Sequence, residues 1–269
     1  MKQWRKGIAT WEVGRTLYIS VPFTWNLEEA EKLRSEHKGP VKIGGPAIGV
    51  PTECEGFEPI LFHNPCATFT SRGCPNNCGF CVVSCLEPEF FELEYFRPAP
   101  IICDNNFLAC SVSHIDRVVE SVKGYQKVDF QGIDANYVTP EKADLLGKTK
   151  SILHIGFDHR NEGKVYDAVK LLQERSTKDI VAYVIIGYQD TPEEAYYRLE
   201  LARSWGIKPF PMRYQPLDAK KKNSYVAPGW TEKELRKMSR YYSRLNWLEQ
   251  IPYSEYQVTA QSEMILEGV

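Results

Sequence analysis

A chain of 269 residues with a formal net charge of −2 and 43% hydrophobic residues can bury a sizeable core, and nothing in its overall charge argues for a nucleic-acid or membrane partner. No apolar run approaches the ~20 residues of a membrane span, and the opening MKQWRKGIATWEVGRTLYIS is charged throughout, unlike the unbroken apolar block of a signal peptide. The sequence is therefore read as cytoplasmic, in a reducing compartment where clustered thiols serve metals or catalysis more often than disulfides.

In chain order, residues 1–66 form a small N-terminal extension. TLYISVPF reads as a strand, NLEEAEKLRSE as a helix capped by Asn26, and PVKIGGPAIG as a second strand running into glycines. One βαβ unit is too small to fold alone, so it is expected to pack on the larger domain C-terminal to it. From Ala67 onward short apolar runs recur roughly every 25 to 30 residues: ATFTS (67–71), APIIC (99–103), KVDFQ (127–131), SILHIGF (151–157), IVAYVIIG (180–187) and PFPMRYQ (209–215). Between them, Ile115, Val118, Val119 and Val122 fall on one helical face, as do Val165, Ala168, Val169 and Leu172. TPEE at Thr191 opens a capped helix with Pro192 in its first turn, and Gly206 follows its end. Beyond a polar link, KKKNSYVAPGW, the Thr231/Glu234 capping box starts a C-terminal helix with an apolar stripe at Leu235, Met238, Tyr242 and Leu245.

Strand–helix alternation of this kind predicts an α/β fold with a parallel sheet. Six such units are too few for a closed eight-fold barrel, which leaves a curved partial barrel or a doubly wound sheet. In both, ligands sit at the carboxyl ends of the strands. The densest cysteine cluster, TSRGCPNNCGFCVVSC (70–85), follows the first of these strands directly, at that end.

Of eight cysteines, Cys74, Cys78, Cys81 and Cys85 lie within twelve residues, the first three as Cys-x-x-x-Cys-x-x-Cys. Three thiolates this close can wrap one inorganic cluster from a single loop, with Gly73, Gly79 and Pro75 favouring the turns. A four-iron cube held by three cysteines leaves one iron open for chemistry. Two other readings stand beside this one. One is a structural zinc site completed by Cys85 or Cys66; the other is a four-cysteine electron-transfer cluster with Cys85 as fourth ligand, although its spacing matches neither usual ferredoxin pattern. Cys103 and Cys110 read as buried small apolar residues, and the histidines, His63, His154 and His159 among them, show no metal-ligand spacing.

The Cys74/Cys78/Cys81 motif, with aromatic Phe80 before its last cysteine, resembles that of the radical S-adenosylmethionine (SAM) superfamily, and the likeness extends in architecture from about residue 67 to 216. The resemblance implies a partial (β/α)6 TIM-like barrel over 67–216, flanked by the βαβ extension over 1–66 and a C-terminal helical segment over 217–269. It also implies a [4Fe–4S] cluster on the three thiolates and SAM chelated to the fourth iron. An electron from a donor such as flavodoxin or ferredoxin then cleaves SAM, and the resulting 5′-deoxyadenosyl radical abstracts hydrogen from a substrate that is a small molecule, a nucleotide or RNA, or a peptide. Such proteins are oxygen-sensitive, and the protein's task is to orient and shield the radical.

By strand position, the resemblance assigns Phe80, Asp104, Asn105 and Asn106 to SAM, with the DNN run in place of the family's Gly-Gly-Glu. It assigns Asp158, Arg160 and Glu162 to the ribose and methionyl groups, and Ile186 with Gly187 to the adenine. Gln131, Asp134, Arg213 and Gln215 are expected at the barrel mouth as substrate contacts. The segment EFFELEYFRPAP (89–100) is read either as a lid that keeps water from the radical, the favoured reading, or as a surface segment anchored by its Phe and Tyr on the core. VKIGGPAIGVP resembles the end of the cobalamin-binding domain found in the branch that is also related to methylthiotransferases. The extension has about half the length of such a domain and lacks the Asp-x-His-x-x-Gly motif, so cobalamin is not expected. The Lys220–Lys222 run is the one feature suited to a nucleotide or RNA phosphate, and it equally suits a solvated turn. The alternative function is a non-catalytic iron–sulfur electron-transfer or zinc-binding protein.

Overall fold

The computed structural model describes residues 4–5, 7–50, 58–158, 161–244 and 250–258. In chain order its elements are β1 (Ala9–Val13), β2 (Thr16–Ser20), α1 (Leu27–Glu36), β3 (Val41–Gly44), α2 (Ile60–His63), β4 (Ala67–Thr68), β5 (Ser71–Arg72), α3 (Val83–Leu86), β6 (Phe91–Glu92) and β7 (Ile101–Ile102). They continue with α4 (Val112–Val122), β8 (Val128–Ile133), α5 (Pro140–Leu146), β9 (Ser151–Gly156), α6 (Glu162–Arg175), β10 (Ile180–Ile186), α7 (Pro192–Ser204), β11 (Lys208–Arg213) and α8 (Glu232–Ser243).

The main sheet has six parallel strands in the order β4-β7-β8-β9-β10-β11. That is their order along the chain, so every connection steps the same way. A doubly wound sheet needs a reversal in strand order, and this sheet has none. All six strand candidates of the sequence fall on it. With right-handed crossovers, a monotonic order puts the connecting helices on one face.

Alternation along the strands divides the two faces. Val128, Phe130, Leu153, Ile155, Ala182, Val184 and Ile186 join Val118, Leu172 and Leu199 of the helices in the main hydrophobic core. The opposite face carries polar side chains instead. Gln131 donates to Asp129 at 2.8 Å, Tyr183 donates to Gln131 at 3.0 Å, and the His154 ring lies 4.9 Å from that of Tyr183.

The first strand candidate is split. After Thr68 the chain leaves the parallel sheet, and Ser71–Arg72 pairs antiparallel with Phe91–Glu92. The cause is Asp104, whose carboxylate accepts the Thr70 amide at 2.6 Å and the Thr70 and Ser71 hydroxyls at 2.5 and 2.8 Å, so a side chain takes the place of a ladder partner. The segment expected as a lid is occupied by this ribbon. Phe90 and Phe96 pack on the main core and Arg117 binds the Leu93 and Glu94 carbonyls, so 89–100 is anchored on the core, with Glu89 against Gly73.

The N-terminal βαβ unit is present as β2-α1-β3, with β2 and β3 parallel, and it gains a strand: β1 pairs antiparallel with β2 across Gly14–Arg15. Ile8, Leu17, Ile19, Val21 and Ala30 form its own small core. Asn26 ends a 3₁₀ turn over Thr24–Asn26, and its side chain makes no capping bond to α1. The helices α7 and α8 begin with the two capping boxes read from sequence, Thr191/Glu194 and Thr231/Glu234. Among the described residues no helix is long and apolar enough to cross a membrane.

Candidate active site

A cavity of about 870 Å³ opens at the carboxyl ends of the parallel strands, and Cys74, Cys78 and Cys81 all line it. Their loop, which follows the β5 ribbon, is held by its backbone and by two carboxylates. Gly73 has φ +71, and a Cβ there would stand 2.0 Å from the Glu89 carbonyl oxygen, so only glycine fits. Glu87 pairs with Arg72, accepts the Gly73 amide at 3.1 Å and accepts Asn105 Nδ2 at 3.1 Å. Asp134 accepts Asn76 from inside the loop and Asn106 Nδ2 at 3.3 Å, while its other oxygen takes the Asn136 amide at 2.8 Å.

Burial pushes the Cys78 thiol up to about 11, with Asp158, the neighbouring cysteines and Asp134 adding to the rise. Burial also raises Cys81, assisted by Cys74 and Asp158. Packed thiols beside carboxylates favour a cationic occupant that displaces their protons. Among the described residues no three His, Cys, Asp or Glu side chains form a group able to hold a single metal ion. A four-iron cube holds its thiolates at separate corners, so it does not need them to converge on one point. The buried Asn106 adds an unused acceptor: its Nδ2 serves Asp134 and the Cys74 sulfur, at 3.6 Å, while its Oδ1 has no partner. The thiol set, the raised Cys78 and Cys81, and this free acceptor fit a cluster that carries a polar cofactor.

The other expected residues divide between the cavity and the scaffold. Phe80, Asn105, Asn106, Asp134, Asp158, Arg213 and Gln215 line the cavity. Asp104 does not: it is 1% exposed and its oxygens are committed to Thr70 and Ser71. Ile186 points to the helices because of strand alternation, and Ile185 takes its place in the wall. Gly187 packs toward Leu235 and Ala227, and its amide donates to Asp190 at 2.9 Å. Glu162 opens α6 and meets Tyr197 at 3.5 Å, apart from the cavity lining. Gln131 is likewise not in the lining and is tied to Asp129 and Tyr183. Arg213 has both terminal nitrogens of its guanidinium on Glu232, at 2.6 and 3.1 Å, and one of them on the Tyr225 carbonyl, so it joins β11 to α8, with only its buried Nε unpartnered.

Arg160, Cys54 and His159 lie outside the described residues. Cys85 is exposed and near Cys81, but like Cys66 it does not line the cavity.

Several cavity residues were not expected. Asn76 and Glu87 brace the loop through contacts 58 and 14 or more residues away in sequence, which no local pattern reveals. His154, read as ordinary, lines the cavity with its Nε2 3.0 Å from Asp129 Oδ1. Period-two alternation on three strands would have placed Asp129, His154 and Tyr183 on one face. Phe23 and Trp25 of the N-terminal extension also line the cavity, as does Lys222 of the Lys220–Lys222 run, read from sequence as suited to a phosphate or a solvated turn.

No protein-family model matches the chain, and no curated protein matches it. Among solved structures, coproporphyrinogen III oxidase (HemN) from Escherichia coli, described as a radical SAM enzyme, aligns over 56% of this chain with a TM-score of 0.43 and 12% sequence identity. The alignment spans 40% of that enzyme's chain.

Proposed function

We propose that this protein is a radical SAM enzyme, in which Cys74, Cys78 and Cys81 hold a [4Fe–4S] cluster and SAM occupies the adjoining part of the cavity. The observation that carries the reading is that the three cysteines of one short loop line a single cavity at the carboxyl ends of the parallel strands, while Cys66 and Cys85 do not line it. We take the six strands to curve as a partial barrel around that cavity. When bound, the cluster supplies the electron that splits SAM and so generates the hydrogen-abstracting radical.

The chain's own residues bind and shield. Asn106 Oδ1, a buried acceptor without a partner, suits the methionyl ammonium of SAM. Asn105 is held by Glu87 beside it, and Asp158 offers a carboxylate for a ribose hydroxyl. Phe80, whose ring meets Tyr188 edge-on at 5.4 Å, covers the loop with apolar surface. The Asp134 carboxylate keeps the loop in register through Asn76. An electron carrier such as flavodoxin or ferredoxin supplies the reducing equivalents.

Anaerobic reconstitution tests the reading. The expected result is about four iron and four sulfide per chain, with 5′-deoxyadenosine formed from SAM under dithionite. Each of Cys74→Ser, Cys78→Ser and Cys81→Ser should abolish SAM cleavage, while Cys85→Ser and Cys66→Ser should leave it intact. Tight zinc in place of iron, with SAM unconsumed, overturns it.

A further inference from the structure

The cavity has two chemically distinct halves. In the half that holds the cysteine loop, the ionisable groups among the described lining residues are the three thiols, Asp134, Asp158, His154 and Tyr183. The other half is formed by residues 22–25 and 46–47 of the N-terminal extension and by 212–217 and 222–223, at the end of β11 and after it; Asp218 is outside the lining but close to Tyr214. Those two segments come from opposite ends of the chain and are tied by the Thr24 hydroxyl, which donates to the Ala219 carbonyl at 2.5 Å.

This outer half is apolar and aromatic. Phe23 and Trp25 stack with centroids 4.5 Å apart and planes 9° from parallel. Phe23, Met212 and Leu217 are 49%, 44% and 49% exposed, so large apolar side chains face open space at a built wall. Such exposure at a concave site marks surface that a ligand covers. The charge there is positive: Arg213 is bound to Glu232, whereas Lys222 stands exposed at the rim, beside Asn223 in the left-handed conformation at φ 57. Among the described residues no acidic side chain lines this half. Gln215 adds a directional group, because its Nε2 is spent on the Tyr214 carbonyl at 2.7 Å while its buried Oε1 accepts nothing.

We infer that the substrate is a small planar aromatic or heteroaromatic anion. Its ring lies on the Phe23/Trp25 wall, its negative group faces Lys222, and a hydrogen-bond donor on it meets Gln215 Oε1. Repulsion from Asp134 and Asp158 fixes the direction of entry: the anionic end stays at the rim and the ring edge points toward the cysteine half. The word substrate rests on the function proposed above; the binding wall does not.

The test uses the full chain, reconstituted with iron and sulfide, and equilibrium dialysis with 2-naphthoate as probe. Cyclohexanecarboxylate keeps the charge without the ring, and 2-naphthamide keeps the ring without the charge. Saturable 2-naphthoate binding is expected, several-fold tighter than either comparator. Phe23→Leu and Trp25→Leu retain apolar bulk while removing or reducing the stack, and each should weaken binding by about 3- to 10-fold. Lys222→Ala should weaken it by roughly 2- to 10-fold and remove most of its salt dependence. The Cys74→Ser/Cys78→Ser/Cys81→Ser variant, which cannot load the cluster, should bind 2-naphthoate as the parent does. Absence of saturable binding, equal binding of cyclohexanecarboxylate, or Phe23 and Trp25 variants that bind unchanged overturns the inference. If 2-naphthoate binds as described and SAM is not cleaved, the wall stands and the cofactor reading falls. SAM cleavage without 2-naphthoate binding gives the reverse.

Discussion

Asn106 Nδ2 lies 3.6 Å from the Cys74 sulfur, and the same amide reaches Asp134 Oδ2 at 3.3 Å. One side chain therefore joins the cysteine loop to the end of β8 and leaves its own oxygen unused. Groups placed just outside a metal's ligands tune it without holding it. Asn106→Ala is expected to keep the iron content of the parent and to lower the rate of SAM cleavage by roughly 10- to 100-fold. Iron analysis and 5′-deoxyadenosine formation, measured on the same preparation, check both halves. An unchanged rate would reduce Asn106 to packing.

The bulge in β8 makes a sharper demand on the backbone. Register shifts between Phe130 and Ile133, where Gly132 sits at φ +66, and a Cβ there would stand 2.2 Å from the Asp104 carbonyl oxygen. Gly132→Ala combines left-handed strain with overlap against main chain, and is expected to cost roughly 2–5 kcal/mol. Gly156, at the end of β9, has no atom within 4 Å of a built Cβ. Gly156→Ala should change stability by less than about 0.5 kcal/mol. Urea denaturation of the two variants side by side measures the difference.

Strand candidates, capping boxes and the cysteine spacing were legible because each is local: alternation, a four-residue cap and a short loop are written in consecutive residues. The strand β1 was not expected, although ATWEV and TLYIS flank a two-residue turn at Gly14, which is a local hairpin signal. Asp104 was not legible. An acid after a strand looks like a ligand contact until its partners, Thr70 and Ser71, more than thirty residues earlier, are brought beside it. The same holds for Arg213, whose bond to Glu232 depends on where α8 docks. Ile186 was displaced by one step of alternation, the smallest error that reverses a face, while Gly187 lies past the end of β10 at φ +76 with its amide on Asp190.

Asp190 and Arg198 form a buried pair at 2.6 Å, 1% and 2% exposed, which also gathers the Gly187 amide and the Trp230 indole. Removing one partner leaves an uncompensated buried charge. Asp190→Ala is expected to destabilise the fold by about 3–5 kcal/mol, read from the denaturation midpoint. Asp190→Ala/Arg198→Met, which removes both charges, should recover much of that loss. A double variant as unstable as the single would show that the hydrogen bonds to Gly187 and Trp230 matter more than the charge.

Thiol chemistry offers a check that needs no cofactor. Burial pushes Cys103 up to about 12, with Asp104 and Asp129 adding to it, and burial likewise pushes Cys110 up to about 12. Only the thiolate is nucleophilic, so a raised value leaves both protonated and inert through pH 8, with reactivity growing only toward strongly alkaline pH. Cys85 is exposed. Iodoacetamide at pH 8 should label Cys85 first in the native chain and reach Cys103 and Cys110 only after unfolding, as read by peptide mass spectrometry. Equal early labelling of Cys103 would contradict its burial.

The bond from Thr24 to the Ala219 carbonyl spans 195 positions. During synthesis the cysteine loop leaves the ribosome well before residue 219 exists, and N-terminal parts begin to fold first. The thiols are thus made while one side of their mouth is still missing, and the far jamb of the doorway is hung only near the end of translation. If the thiols hold iron as proposed, iron delivered early meets an open frame, whereas iron delivered to the finished protein meets one already joined across Thr24 and Ala219.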